Sequence, residues 1–488
     1  MWPRGTRPRV TLIDRGDRFV FKPLLYELLN GGASADEVAP RFDKLLASTR
    51  VAFIRGGIDR VEEAAIGAST PASPSGGTVV LSDGTTVEYD WLVLALGGET
   101  TTFGVPGAAD LALPFSSFED AVEVDARLTE LEARVAASGR AGPGDGVVVV
   151  GAGYAGVELA ATVAERLAGS LTSRGLPAPP VTVVTYSDDI LDGAPPGQRA
   201  AAAAQLASSG VAVRTRVAVS RVTASPGPGG PTAARTVHLR GTAGNPDSRE
   251  ASAGGDATLE AGLVLWTAGT GPVTRSDGGG PALPFPRSPR GAIRVEPTLR
   301  IVGHPRAFAL GDVAGVEAAL NGGGGGGSSV ANESSPSPPP LAPTAQVAFQ
   351  QADYAAWNVW SSINARRLLP FRYQHLGEMM SLGKKAGAVT LPVPVPAGLA
   401  SALAKSPLGG LLGAVGVRLP TEPDAPTSGL TLEGPLAGAL RRAAYWYRQP
   451  TGGQRVSVGR EWLAAVAGEV AGAVRRRGGG GGGGGGAE

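Results

Sequence analysis

Residues 147–160 read VVVVGAGYAGVELA. Four successive valines predict a strand. Gly151, Gly153 and Gly156 follow it with GxGxxG spacing, and a helical pattern follows them. Gly151 permits the tight turn, Gly153 lets the backbone approach a pyrophosphate, and Gly156 lets helix pack closely on strand. The helix N-terminus adds free N–H groups and the positive end of its dipole. The triplet alone is a weak signal; between a strand and a helix it reads as a dinucleotide site. A glycine-rich turn that holds no ligand is the bland alternative.

Downstream lie a helix over about 154–174, a strand at 181–185, a helix over about 198–208 and a closing strand at 262–267 (GLVLWT). This βαβα order predicts a parallel sheet. The strand VTVVT ends on Thr185, where an acid for the adenine ribose 2′-hydroxyl is expected; Asp188 and Asp189 come later. An acid there repels a 2′-phosphate, so its absence admits NADPH and tilts the reading slightly toward it. Upstream, residues 118–138 carry helical periodicity, and 79–96 read as a hairpin turning at Asp83-Gly84, then a core strand. RVTLID (9–14) looks like the second strand of another dinucleotide fold, with Asp14 placed for an adenosine ribose. The eight residues before it are too few for a strand, a glycine loop and a helix. A truncated N-terminus is the expectation, and a degenerate domain that has lost its ligand is the competing one. For Asp14 the plain alternative is a solvated strand-end acid.

The 488 residues have room for two or three domains. Net charge is +1, from 44 Lys+Arg and 43 Asp+Glu, and no aromatic-plus-basic stripe is present, so nothing points to nucleic acid. No apolar run reaches the length of a membrane span, and the opening residues do not read as a secretory signal. Cysteine is absent, which removes disulfides and thiolate metal sites; His238, His304 and His375 are too scattered for a metal. Residues 320–342 read as a disordered Gly/Ser/Pro-rich insertion, and 388–428 as a Pro/Gly/Ala-rich stretch of no assigned structure. An apparent strand and an amphipathic helix close the chain over 456–477.

Three further stretches, WLVLALGGET (91–100), LVLWTAGTGP (263–272) and FALGDVAG (308–315), look like the crossover and flavin-contact motifs of two-domain flavoprotein reductases. With RFVFKPLLYELLNG (18–31), GAGYAGVELAATVAERL (151–167), PTAQVAFQQADYAAWN (343–358) and HLGEMMSLG (375–383), the chain resembles the type II NAD(P)H:quinone oxidoreductases, nearest their plant and algal plastid branch. The resemblance spans about residues 9–385, with a weaker stretch near 428–470. It implies an α/β fold of two Rossmann-like domains plus a membrane-associating C-terminal region. The expected parts are 1–117 (flavin domain, first part, without its glycine loop), 118–287 (NAD(P)H domain), 288–374 (flavin domain, second part) and 375–488. It implies noncovalent FAD, hydride taken from NAD(P)H, and reduction of a membrane quinone (plastoquinone, a phylloquinone type or ubiquinone) without proton pumping.

Residue by residue, the resemblance gives flavin contacts to Asp14, Lys22, Gly97, Gly311 and Asp312, with Pro23 and Tyr26 near the flavin in no assigned role. Gly151, Gly153 and Gly156 take the nicotinamide dinucleotide. Gln346 and Gln350, one helical turn apart, are placed in the quinone pocket, Gln346 also beside the flavin, and Glu158 near nicotinamide and flavin with a role in proton delivery. Two solvated glutamines and an ordinary helix-start acid are the bland readings. Disulfide and sulfide:quinone reductases share the architecture but need redox cysteines, so they are excluded. A flavin-less NAD(P)-binding remnant and a reductase with another acceptor, such as ferredoxin, stay open. In EWLAAVAGEVAGAVRRR (461–477), Trp462, Leu463, Val466 and Val470 on or near one face suit an interfacial helix on a membrane or lipid droplet, against a plain packing helix or homodimer contact. The resemblance implies a chloroplast location (thylakoid or plastoglobule), with the mitochondrion also admitted.

Overall fold

The computed structural model describes residues 7–464 apart from 65–75, 226–233, 243–256, 275–279, 317–342, 385, 393–401, 404–405, 415 and 419–428. Val147–Val150 is the central strand of a five-stranded sheet. The order is Ala212–Arg214, Val181–Val184, Val147–Val150, Leu263–Trp266, Leu113–Pro114, and every pairing is parallel. The valines alternate as a pleat demands. Val147 and Val149 face the helices with Val157, Leu159 and Leu128, while Val148 and Val150 face Val222, Val237 and Leu239 of an antiparallel three-stranded sheet. Covered on both sides, the strand has no need of a polar residue.

Tyr154–Leu171 starts directly from the glycine turn and is buried over most of its surface. Phe118–Ser138 packs a stripe of Ala121, Val124, Leu128, Leu131 and Val135 inward. That spacing is the amphipathic pattern of its sequence. Its start is fixed by a capping box: Ser117 Oγ accepts from Asp120 N (3.0 Å) and Asp120 Oδ2 accepts from Ser117 N (2.9 Å). Such caps contribute about 1 kcal/mol.

The second unit contains two parallel pairs. Val10–Asp14 pairs with Val51–Arg55, and Leu92–Leu94 with Ala307–Ala309. Among the described residues these remain two separate two-stranded sheets. The hairpin forms where Asp83-Gly84 places it: Gly84 is left-handed and Asp83 Oδ1 accepts from Thr85 N (2.9 Å).

The 388–428 stretch, unassigned from sequence, begins within the strand Gly387–Leu391 of a four-stranded antiparallel sheet and carries the helix Pro407–Ala414. The apparent strand at 456 is instead part of a helical segment over 452–464. Thr451 Oγ1 caps it by accepting from Gln454 N (3.1 Å), and Val458 is fully buried, so cap and packing outweigh the β-branched valines. The 320–342 insertion and 465–477 lie outside the described residues.

One buried ion pair ties the C-terminal helix Gly434–Tyr447 to the front of the chain. Arg441 Nη2 donates to Glu27 Oε1, and Arg442 Nη2 to Glu27 Oε2 at 2.6 Å. Arg441 and Glu27 are each 1% exposed. Removing Arg441 leaves the buried Glu27 charge with the half-buried Arg442 as its remaining partner. Because Arg442 still pairs with Glu27, Arg441→Met is expected to cost somewhat less than the roughly 3–5 kcal/mol of a fully unpaired buried charge, and the double variant Glu27→Gln/Arg441→Met to recover part of that loss; urea unfolding midpoints read the difference.

Candidate dinucleotide and redox site

The glycine turn shows three separate spatial demands. Gly151 has φ +105°, and a Cβ there would lie 2.8 Å from Ala268 N. A Cβ on Gly156 would come within 1.9 Å of Gly151 O, so helix and turn touch backbone to backbone. At Gly153 a Cβ would meet nothing within 4 Å. The first two glycines are required by the protein itself, while the third bares the backbone toward open space at the N-terminus of an 18-residue helix. That is where a pyrophosphate is held.

The three other motifs converge. Gly98–Thr100 and Thr270–Pro272, from 91–100 and 263–272, pair antiparallel (Thr270↔Thr100, Gly271↔Glu99, Pro272↔Gly98). A Cβ on Gly98 would stand 3.2 Å from Asp312 Cβ, which brings the third motif to the same place. Gly97 is left-handed (φ +74°) and, like Gly153, faces space with no atom within 4 Å of a Cβ. Gly311, also left-handed, donates its N–H to Gln351 Oε1 (2.7 Å). Burial raises the Asp312 carboxyl, and nearby Lys22 works in the opposite direction. Asp14 is half-buried and raised by burial, while Gly16 N donates to its Oδ1 (2.8 Å). An FAD, with hydroxyls for carboxylates and phosphates for bare backbone, fits this donor and acceptor set.

Glu158 is buried beneath the site. Its Oε1 accepts from Ser381 N (2.6 Å) on the strand Glu378–Ser381. Burial pushes its carboxyl up to about 7; the Ser381 N–H and the Arg441 charge pull down, and Glu27 adds to the rise. One turn earlier Tyr154 Oη bonds to Glu378 Oε2 and to Gln198 Oε1 (2.9 Å). Burial and the Glu378 bond hold its phenol protonated far above the ordinary range.

Gln346 and Gln350 share a helix face as predicted, and both are engaged. Gln346 Nε2 donates to Gly377 O (3.0 Å), and its Oε1 accepts from Tyr373 Oη (2.6 Å) and Leu376 N (3.1 Å). Gln350 exchanges two bonds with the Gln374 backbone, at 2.8 and 2.9 Å. They clamp residues 373–377 alongside the helix. Sequence reasoning missed Gln351, Ser381, Gln198, Glu27 and Arg441. The adjacent Gln350-Gln351 pair was a signal for the first; the rest depend on chain crossings that no local pattern reveals. Trp462 turns inward, its N–H on Glu37 Oε1 (2.6 Å), whereas Leu463 points out, 73% exposed. The two do not share a face, because the indole supplies the bond that buried Glu37 needs. No cluster of metal-binding side chains occurs among the described residues.

A family model described as pyridine nucleotide-disulphide oxidoreductase matches residues 4–352. The chain belongs to this family. With no cysteine among its 488 residues, it brings no thiol to the family's chemistry. The alternative NAD(P)H-ubiquinone oxidoreductase C1, chloroplastic/mitochondrial, of Arabidopsis thaliana is 39% identical over 94% of this chain and 75% of its own length. Demethylphylloquinone reductase NdbB of Synechocystis is 32% identical over 96% of this chain and 91% of its own. These place the chain in the type II NAD(P)H:quinone oxidoreductase branch. NDH2 of Plasmodium falciparum, solved in complex with NADH, shares the fold at TM-score 0.65 and 15% identity, covering 93% of this chain and 92% of that one.

The glycines separate by measurement. Gly156→Ala is expected to lower stability by about 1–3 kcal/mol or more, since backbone has to move. Gly153→Ala is expected to keep the melting temperature and lose NAD(P)H affinity, read by calorimetric titration.

Proposed function

We propose that this chain is an FAD-dependent oxidoreductase that takes hydride from NAD(P)H and reduces a membrane quinone. The convergence of the two crossover strands with Gly311-Asp312 beside the glycine turn carries this reading. Two bare-backbone surfaces, at Gly97 and Gly153, then serve two dinucleotides in adjoining units. Asp14, Lys22, Gly97, Gly311 and Asp312 would hold the flavin, with Gln351 fixing the Gly311 turn. Bound flavin supplies hydride acceptance and onward electron transfer. Gly151, Gly153 and Gly156 would seat the nicotinamide dinucleotide.

Glu158 acts as the proton donor to a reduced quinone oxygen. An acid near pH 7 is suited to giving a proton and regaining it at neutral pH. Each amide of Gln346 and Gln350 spends one of its two hydrogens on the 373–377 segment, leaving the second for a quinone carbonyl. Tyr373 and Gln346 hold that wall of the pocket in place.

A lipid-soluble quinone requires a membrane surface. No helix among the described residues is long and apolar enough to cross a membrane. On Gly434–Tyr447, Leu436, Leu440 and Tyr447 lie on one exposed face, and Val456 and Leu463 on the following helical segment are exposed as well. With Arg448, Arg455 and Arg460 nearby in the chain, this region suits docking on an anionic leaflet. The plant relative's name supports a chloroplast or mitochondrial location.

The test is an absorption spectrum with added FAD, then NAD(P)H without oxygen, then quinone. Bleaching by nucleotide and recovery with quinone are expected. A flavin band that NAD(P)H leaves unchanged rejects the reading. Glu158→Gln is expected to lower kcat with quinone about 10²–10⁴-fold. In the unaltered protein kcat falls as pH rises through about 7, where Glu158 loses its proton. The variant's profile has no such inflection.

A further inference from the structure

Glu158 is 7% exposed, and a buried acid that gives up a proton needs a route by which to regain one. The groups that act on its carboxyl or feel its charge are Glu27, Arg441, Tyr26, Tyr445 and Tyr154. The first four are buried, between 1% and 8% exposed. Tyr154 is half-buried and lies one helical turn before Glu158. Its phenol meets Glu378, also half-buried, just past the exposed residues 374–376. The strand Glu378–Ser381 runs along this helix, with Glu378 on Tyr154 and Ser381 on Glu158. Of the five groups around Glu158, Tyr154 is thus the one that approaches solvent.

The hydrogen bonds along this seam have a fixed sense at one end. Gln198, fully buried, donates from Nε2 to Glu378 O (2.8 Å), and a backbone carbonyl can only accept. That orients the amide, so Gln198 Oε1 is the atom facing Tyr154 Oη (2.9 Å), and it too can only accept. Tyr154 carries one hydrogen for two acceptors, Gln198 Oε1 and Glu378 Oε2. Both contacts are satisfied together only when the Glu378 carboxyl holds a proton and donates it to the phenol, which then donates to Gln198. When Glu378 has lost that proton, the phenol turns its hydrogen to the carboxylate. Tyr154 accepts in one state and donates in the other, and these are the two acts of a proton relay. It performs them without ionising, because burial and the Glu378 bond hold the phenol protonated far above the ordinary range.

We propose that Glu378 and Tyr154 form the proton entry that recharges Glu158 from solvent, with Gln198 as the positioning residue that sets the direction of the phenol. This rests on the reading of Glu158 as proton donor and specifies where its protons come from. After Glu158 has given its proton, the Tyr154 O–H proton passes through a bridging water to the Glu158 carboxylate, and the Glu378 proton passes to Tyr154 Oη. Tyr154 ends neutral, Glu158 protonated and Glu378 ionised, and Glu378 then takes a proton from bulk water. No electron moves in these steps. One proton enters for each quinone reduced, the one that hydride from NAD(P)H does not bring.

Infrared spectra of the full chain after mixing with D2O test this without nucleotide or quinone. Below the value of about 7 to which burial pushes it, the protonated Glu158 carboxyl gives a carbonyl band, identified by its loss in Glu158→Gln, that shifts as deuterium replaces the proton. Glu378→Gln and Tyr154→Phe, both close in shape to the residues they replace, are expected to slow that shift at least tenfold, and Glu378→Asp to slow it less. Steady-state quinone reduction is expected to slow in the same variants, while the first turnover, which uses the proton Glu158 already holds, keeps its rate. A merely structural loss slows both. Exchange at the unaltered rate in both variants overturns the proposal, and so does slowed exchange with unaltered steady-state turnover. If the unaltered protein reduces no quinone and the exchange rates still separate, the entry to Glu158 stands and the wider function falls.

Discussion

The approach of Gly156 to Gly151 O is the contact on which the rest depends. It lets the helix Tyr154–Leu171 start directly from the sheet, with its N-terminus at the bared backbone of Gly153. Successive turns of that helix then reach different parts of the chain. Tyr154 bonds to Glu378 and Gln198, Glu158 to Ser381, and Glu165 to Asn30 and Lys384. Arg166 donates to Leu29 O (3.1 Å) and pairs with Asp125 and Glu132. A shift at the glycine turn would carry through all of these contacts, because packed interiors transmit displacement rather than absorb it.

The same helix sets the electrostatics. Glu158 is buried among Tyr26, Tyr445, Arg441 and Glu27, each of which influences it or is influenced by it. Burial raises its proton affinity most, and one cation that is itself committed to Glu27 offsets only part of the rise. The result is a buried carboxyl whose proton affinity is pushed up to about 7. Glu27 and Arg441 come from opposite ends of the sequence, 414 residues apart, so the C-terminal helix helps tune a group in the middle of the chain.

The two units meet through their crossovers. Pairing Gly98–Thr100 with Thr270–Pro272 brings two connections, each leaving a different sheet, against the Gly311-Asp312 turn. The 373–377 segment, clamped by Gln346 and Gln350, leads directly into the strand bearing Glu378 and Ser381. The helix bearing Gln346 and Gln350 is thus linked to Tyr154 and Glu158 by a short, hydrogen-bonded path.

The parallel sheet, the glycine turn, the helix at 118–138 and the Asp83-Gly84 hairpin were legible in the sequence. Each is a local signal: a period or a turn residue whose cause lies within a few positions. The glutamines on one helix face were also legible, since a one-turn spacing fixes a face. Their engagement with 373–377 was not, because it depends on where a distant segment lies. Trp462 was misplaced for a similar reason: helical spacing gives its direction on a helix, but the buried Glu37 that draws it inward comes from another part of the fold. The neutral-range carboxyl of Glu158, the orphan-closing role of Gln351 at Gly311 and the turning of Asp188 toward Arg216 likewise exist only after folding. Sequence determined which elements form and which chemistry-bearing residues they carry. Tertiary structure decided which of those residues meet and in what dielectric, because long-range contact and burial are properties of the packed chain.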